Sequence, residues 1–269
     1  MRVGWISDPI SDYLGGAELV ERDLLDTCPM DAEIIRYQSE LEPLPNVDVF
    51  VIHNVTTFTS RLAERLSRKS TPIIKQVHDL WFHGNVVLRS FLLESATVVL
   101  FGSQLHRKAF THEVKAPFVV RPPAVNGARY AEPSTHRDKP RADAVAWVGR
   151  LFFGKGIQQA LRWADSNEKD IHFYGWGPEA RSIPTSRYYG PLVPDEVPQV
   201  LQEYSEFVFL PTMKEPFGRS VVEAKFSRCN LILNSNVGAA EWLEPWSQIT
   251  NSCQNFWTLT QGIARKAIV

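Results

Sequence analysis

An α/β fold built as two doubly wound domains, each a mostly parallel sheet with helices on its faces, is predicted by three features. Short apolar runs alternate with helix-length amphipathic segments, a proline- and charge-rich stretch interrupts that alternation near the middle, and the alternation then begins again. The length of 269 residues, with 44% hydrophobic and 22% charged residues, suits one large or two small globular domains rather than a disordered chain.

The first series opens with the strand RVGWIS (2–7) and the helix GAELVERDLLDT (16–27), where Val20, Leu24 and Leu25 sit among acids. Further strands are expected at EIIRY (33–37), VDVFVIH (47–53), PIIKQVH (72–78) and TVVLFG (97–102). Helices are expected at TSRLAERLSRK (59–69) and SQLHRKAF (103–110). The pattern breaks over 120–144, VRPPAVNGARYAEPSTHRDKPRADA, which reads as an interdomain connection.

The second series runs strand AVAWVG (144–149), helix GIQQALRWADS (156–166), strand IHFYG (171–175) and short strand YYG (188–190). It continues with helix VPQVLQEY (197–204), strand EFVFLP (206–211), helix GRSVVEAKFSR (218–228) and strand NLILN (230–234). The two halves share a layout without sharing sequence. They are expected to face each other across a cleft, with the carboxyl ends of both sheets and the motifs that follow the strands lying there. The amphipathic segment NFWTLTQGIARKAIV (255–269) could cross back to pack on the first domain. The domains expected are therefore 1–125, 126–255 and a returning helix over 256–269.

Composition narrows the function. The net charge of −1 gives no global electrostatic reason to expect a nucleic-acid partner. Cys28, Cys229 and Cys253 form no CxxC and no paired spacing, which suits free thiols in a reducing compartment. With no signal-peptide pattern and no membrane-length apolar run, the expected location is the cytoplasm. Charge is uneven locally: residues 1–59 hold three Arg against eleven acids, a net of −8, while 60–121 hold ten basic residues against four acids, a net of +6. Arg61, Arg65, Arg68 and Lys69 share one predicted helix. They leave open a peripheral contact with anionic lipid or a phosphorylated acceptor, although a solvated polar face is the plainer reading.

Three stretches carry chemistry. In WVGRLFFGKG (147–156), Gly149 lets the chain leave the sheet while Arg150 and Lys155 place two cations beside a helix N-terminus, whose N–H groups and dipole favour an anion such as a diphosphate. The plainer reading is a strand–helix loop with two solvated cations. It is neither a Walker loop nor a GxGxxG fingerprint. In FYGWGPE (173–179), Gly175 and Gly177 would permit close backbone approach to a flat ligand, or be ordinary turn glycines. In EPFGRSVVEA (215–224), Glu215 precedes a helix opened by Gly218, and Glu223 lies inside it. Carboxylates suit pairs of sugar hydroxyls, and the alternative is a plain loop acid and an idle acid of the first helical turn. No D-x-D triplet or ligand-like cluster of His and carboxylates is present, so no metal site and no cofactor is expected.

GRLFFGKG, FYGWGPE, YYGPLVPDEV and EPFGRSVVEA, in that order, resemble the nucleotide-binding domain of retaining glycosyltransferases of family 4, which have the GT-B fold. The resemblance runs from about Ala144 to Leu243. It is thinner in the first half, through SDYLGGAELVERDL (11–24) and the VHD after a strand. It implies a metal-independent enzyme that moves a sugar from a nucleotide-diphosphate sugar to an acceptor hydroxyl with retention, the leaving phosphate helping to take the acceptor proton.

By the same resemblance Arg150 and Lys155 would bind the donor diphosphate. Glu215 would contact the sugar, Phe217, Gly218 and Arg219 its hydroxyls or phosphate through their backbone, and Glu223 the ribose. The base would lie near Gly175 and Leu192. Gly15 and Gly16 would form a loop near phosphates and acceptor, and His78 would face the sugar, with His53 and His83 as lining candidates. The first domain would be the acceptor side and is shorter than usual, which leaves the acceptor open. A catalytically silent sugar-nucleotide binder, an epimerase of the same fold and a DNA-modifying glucosyltransferase are the alternatives.

Overall fold

The computed structural model describes residues 1–9, 15–130 and 142–266. The chain divides into two compact units, one formed by residues 1–126 with 244–269, the other by 127–243. Ser11 to Leu14 of the first-half motif, and residues 131–141 of the connecting stretch, lie outside the described residues.

The first unit carries a six-stranded sheet whose neighbouring strands all run parallel. Its strands are β1 (Arg2–Ile6), β2 (Glu33–Tyr37), β3 (Val49–Ile52), β4 (Ile73–Gln76), β5 (Val98–Phe101) and β6 (Phe118–Val120), in the order β2-β1-β3-β4-β5-β6. Between them lie α1 (Gly16–Asp26), α2 (Ser60–Ser67), α3 (Val86–Ser95) and α4 (Gln104–Ala109). Strands β3, β4 and β5 are buried along their whole length, as strands covered on both faces must be. One face packs Ile6, Phe50, Ile52, Leu62, Leu88, Leu92 and Phe101, and the other Trp5, Val20, Leu24, Val51 and Leu100.

The second unit carries a five-stranded parallel sheet of β7 (Ala142–Val148), β8 (Ile171–Tyr174), β9 (Tyr188–Gly190), β10 (Tyr204–Phe209) and β11 (Asn230–Leu233). Its order is β11-β10-β7-β8-β9. The helices are α5 (Ile157–Ser166), α6 (Val197–Gln202) and α7 (Arg219–Phe226). From β7 the chain winds outward through β8 and β9, then returns to place β10 on the other side of β7. That reversal makes the β7/β10 boundary a topological switch point; in the first unit it falls between β1 and β3. The expected α/β class with two Rossmann-like units is the one observed.

After β11 the chain passes through α8 (Trp246–Thr250) into α9 (Ser252–Lys266), which belongs to the first unit. Phe256 and Trp257 pack beside Trp5, and Trp257 Nε1 donates to the Leu24 carbonyl of α1 at 3.2 Å. Ser252 Oγ accepts from the Val125 N–H at 3.0 Å, and Arg121 Nη2 donates to the Ser252 carbonyl at 2.5 Å, which fastens the end of the unit's first segment to its last.

Elements α3 and β6 were not marked by the sequence pattern. The first reads VVLRSFLLES, a nearly continuous apolar run with little amphipathic contrast, and the second is a three-residue edge strand. Of the basic residues assigned to the α2 surface, Arg65 turns to the Tyr37 hydroxyl at 2.8 Å and Arg68 pairs with Glu64 at 2.5 Å. Among the described residues no helix is long and apolar enough to cross a membrane.

Candidate functional site

In the second unit the chemistry gathers at the switch point. The loop after β7 carries Arg150 and Lys155, and the loop after β10 carries Glu215. Lys155 Nζ donates to Glu215 Oε2, so the two loops are joined by an ion pair across the boundary between β7 and β10. The pair is only partly shielded, with 32% of the Lys155 and 14% of the Glu215 side chain exposed, so a ligand can reach it. Glu215 is held by its backbone, whose N–H donates to the Asn236 carbonyl at 2.8 Å and whose carbonyl accepts from Gly238 at 3.0 Å.

Both helices that start here do so from a left-handed glycine. Gly156 (φ 80°) precedes α5 and Gly218 (φ 86°) precedes α7, and neither helix has a side-chain cap. A helix N-terminus leaves N–H groups without intrahelical partners and carries a partial positive charge, so two uncapped starts beside Lys155 make a field suited to an anion. Gly156 is required twice over, because a Cβ there would lie 1.9 Å from the Leu210 carbonyl oxygen.

Arg150 is exposed, and its guanidinium lies 4.8 Å from the Trp176 ring centre and 5.8 Å from that of Phe152. Stacking holds the charge at the lip of the same strand end without burying it.

Gly175 and Gly177 let two loops of the second unit meet closely. A Cβ on Gly175 would fall 1.8 Å from the Gly149 carbonyl oxygen, and one on Gly177 would fall 2.1 Å from that of Leu151. The close approach they permit is between the loops after β7 and β8. Gly175 is also committed through its backbone, donating to Gly190 at 2.8 Å and accepting from the Tyr188 hydroxyl at 3.0 Å. Leu192 is half-buried in the loop after β9. Phe217 is buried, and its carbonyl accepts from Ala239 at 2.6 Å.

Glu223 is no idle first-turn acid. It is the fifth residue of α7, buried, and its Oε1 accepts from Arg219 Nε at 2.7 Å and from the Tyr130 hydroxyl at 2.9 Å. Arg219, one turn earlier, is equally buried. Burial of its ring, and then the Glu223 carboxylate beside it, raise the Tyr130 hydroxyl far above its ordinary value, so it stays a donor. Tyr130 was not foreseen; it ends a short 3-10 turn (Gly127–Tyr130) inside the stretch read as a connection, where nothing in the pattern marks a buried ring.

In the first unit, Gly15 caps α1 and Gly16 begins it. The Gly15 N–H is taken by Glu18 Oε2 at 3.0 Å, and Glu18 Oε1 accepts from Asn54 at 3.2 Å. His78 follows β4, half-buried, with its Nε2 3.1 Å from Nδ1 of the buried His53. His83 lies apart from that pair, against Asp79 at 3.3 Å and Trp81 Nε1 at 3.2 Å. Lys75, buried on β4, donates to the His53 carbonyl and lies 5.0 Å over the Phe82 ring. Burial lowers it to about 7 despite the opposing carboxylates of Asp8 and Asp79. The sequence carried a signal for it, a lone cation inside the apolar run PIIKQVH. Among the described residues no group of three or more His, Cys, Asp or Glu could hold a metal ion.

The fold is that of the GT-B class, two Rossmann-like α/β units, and solved structures with this fold that the chain resembles include glycosyltransferases. Anabaena HepE in complex with UDP and glucose superposes with a TM-score of 0.68 at 17% identity, over 99% of this chain and 92% of that one. AviGT4, a glycosyltransferase of avilamycin A biosynthesis, gives 0.64 at 18% identity, over 90% and 81%. Sucrose-phosphate synthase from Thermosynechococcus elongatus gives 0.62 at 14% identity, over 90% and 82%. No protein-family model matches the sequence, and no curated protein matches it.

Proposed function

We propose that the protein is a glycosyltransferase that takes a sugar from a nucleotide-diphosphate sugar and attaches it to an acceptor hydroxyl. The observation that carries this reading is the Lys155–Glu215 pair, spanning the switch point between two uncapped helix starts. A diphosphate arriving there would take over Lys155 and the N–H groups at the starts of α5 and α7, with Arg150 at the lip. Glu215, released from the lysine, would then accept from sugar hydroxyls. One neighbour, HepE, was crystallised both with UDP and glucose and with UDP-glucose, which supports a donor of that chemical class.

The remaining assignments follow the same chemistry. Among the described residues both hydrogen bonds to the Glu223 carboxylate go to Oε1, and we assign Oε2 to the ribose hydroxyls. To Phe217, Gly218 and Arg219 we assign backbone contacts with the donor, to Leu192 and Gly175 the neighbourhood of the base, to Gly15 and Gly16 a loop near the phosphates and acceptor, and to His78 a hydrogen bond to the sugar.

The transfer we propose proceeds with retention and without a metal. The bond between the anomeric carbon and the phosphate oxygen breaks, the acceptor oxygen bonds to that carbon from the same face, and the acceptor proton passes to the departing phosphate. Lys155, Arg150 and the helix N–H groups stabilise the charge that develops on the diphosphate. The first unit is assigned to the acceptor. We place the protein in the cytoplasm.

Incubation with a panel of nucleotide sugars, with and without candidate acceptor alcohols, tests the reading. Acceptor-dependent release of the nucleoside diphosphate supports transfer. Tight binding without turnover would replace it by the silent-binder alternative, and no binding at all would overturn it.

A further inference from the structure

His53 sits directly after β3 and is 1% exposed. Its ring stacks on Trp5 at 4.7 Å with an interplanar angle of 21°, and on His78 at 5.3 Å. Nδ1 of His53 faces Nε2 of His78 at 3.1 Å, and the other nitrogen of His53, Nε2, is buried with no partner among the described residues.

One proton lies between the two rings, and its owner decides the chemistry of His78. If His78 donated, a neutral His53 would carry its own proton on Nε2, leaving a buried N–H with nothing to meet. If His53 donates, the unmet group on Nε2 is only a lone pair. Buried N–H groups without partners are rarer in folded proteins than under-satisfied acceptors. We propose that His53 is a positioning residue for His78. It donates Nδ1–H to Nε2 of His78 and so fixes His78 as the Nδ1–H tautomer, which offers its ligand a neutral hydrogen-bond donor and no proton-accepting nitrogen.

The surroundings keep both rings neutral. His53 is held well below the ordinary value by burial first, then by His78 and by Lys75. His78 is lowered to about 3 by burial, then by Lys75 and by His106. The other groups facing the pair have settled partners. Lys75 donates to the His53 carbonyl, and Asp8 and Asp79 act on Lys75. His106 accepts from the Gly102 N–H through Nδ1 at 3.2 Å and meets the Asp79 carbonyl through Nε2 at 2.8 Å, which fixes its own proton on Nε2. The functional consequence rests on the transferase reading: within it, His78 donates to a sugar oxygen and never acts as a general base.

Long-range ¹H–¹⁵N correlation spectra of the full chain labelled with ¹⁵N-histidine test the lock, with His78 assigned by His78→Gln. The expected spectrum has His78 protonated on Nδ1 and unprotonated on Nε2, with a coupling to Nδ1 of His53 across the N–H···N bond. It should persist at a pH of about 6.5, where an exposed histidine is half charged. In His53→Phe, which can keep the stack on Trp5, His78 should move toward the Nε2–H form. His78 found as Nε2–H in the wild type, or unchanged in His53→Phe, would overturn the proposal. The wild-type spectrum decides even if His53→Phe fails to fold. No substrate is needed, so the outcome is separate from whether the chain transfers sugar.

Discussion

Replacing Glu223 by Ala removes the carboxylate from a pair whose side chains are 7% and 8% exposed, and takes the Tyr130 hydroxyl's acceptor with it. An exposed i,i+4 pair contributes only about 0.3–0.5 kcal/mol, and breaking a buried one by removing a single partner costs roughly 3–5 kcal/mol. The observed burial puts Glu223 in the second class. Taking about 2–4 °C per kcal/mol, the ligand-free melting midpoint should fall by roughly 6–20 °C. Tyr130→Phe, which removes one hydrogen bond and leaves the ion pair, should cost about 1 kcal/mol. Thermal and urea melts of both variants, run without ligand, make the comparison. A Glu223→Ala protein melting within about 2 °C of wild type would refute the buried-pair reasoning, because that is the effect of an exposed acid. Any loss of donor affinity in Glu223→Ala must then be measured where the variant is fully folded, with Glu223→Gln beside it.

Lys155→Ala and Glu215→Ala should not be additive in a double-mutant cycle on donor binding, because each removes the other's partner; additivity within about 0.5 kcal/mol would argue against the pair as one unit. Lys155→Ala and Arg150→Ala should each lose a charge-assisted contact of roughly 1.5–3 kcal/mol, about ten- to a hundred-fold in affinity or rate. Lys75 is lowered to about 7 against an unfolded value near 10.5, so the unfolded chain holds more protons between these values and stability should rise with pH across that window. From pH 7 to 9 the gain should be about 2 kcal/mol in urea melts and absent from Lys75→Met; equal slopes would count against the buried charge. Activity, once a donor and acceptor are found, should survive excess EDTA; abolition by chelation with rescue by Mn²⁺ would overturn the metal-independent phosphate site.

What the sequence made legible was the repeating layer of the fold. Strands such as VFVI and VVLF announce themselves because a strand covered on both faces must be apolar throughout, and helices such as IQQALRWADS because one face must be apolar. Strand order was not legible: both halves read as the same alternation, yet one sheet runs β2-β1-β3-β4-β5-β6 and the other β11-β10-β7-β8-β9.

At the candidate site the residue types were visible and their partners were not. Glu215 and Lys155 are sixty residues apart in the chain and meet only because β10 returns beside β7. The glycines after β8 left a ligand contact and a plain turn equally open, because a sequence cannot show that the loop after β7 occupies the space a Cβ would need. Tyr130 closes on Glu223 from a proline-rich stretch that carries no periodic signal. Lys75 is the reverse case, a single cation in an apolar run whose burial is a direct consequence of β4 lying inside the sheet.

The central claim is that the ends of β7 and β10 hold the diphosphate of a nucleotide sugar, and a thermal-shift panel of nucleoside diphosphates and their sugars on wild type and Lys155→Ala tests it most directly. At about 100 times its dissociation constant, a true donor should stabilise the wild type by roughly 2.7 kcal/mol, and Lys155→Ala should need about ten- to a hundred-fold more of it for the same shift. A wild-type midpoint that no member of the panel moves, or a shift that Lys155→Ala leaves intact, would contradict the account.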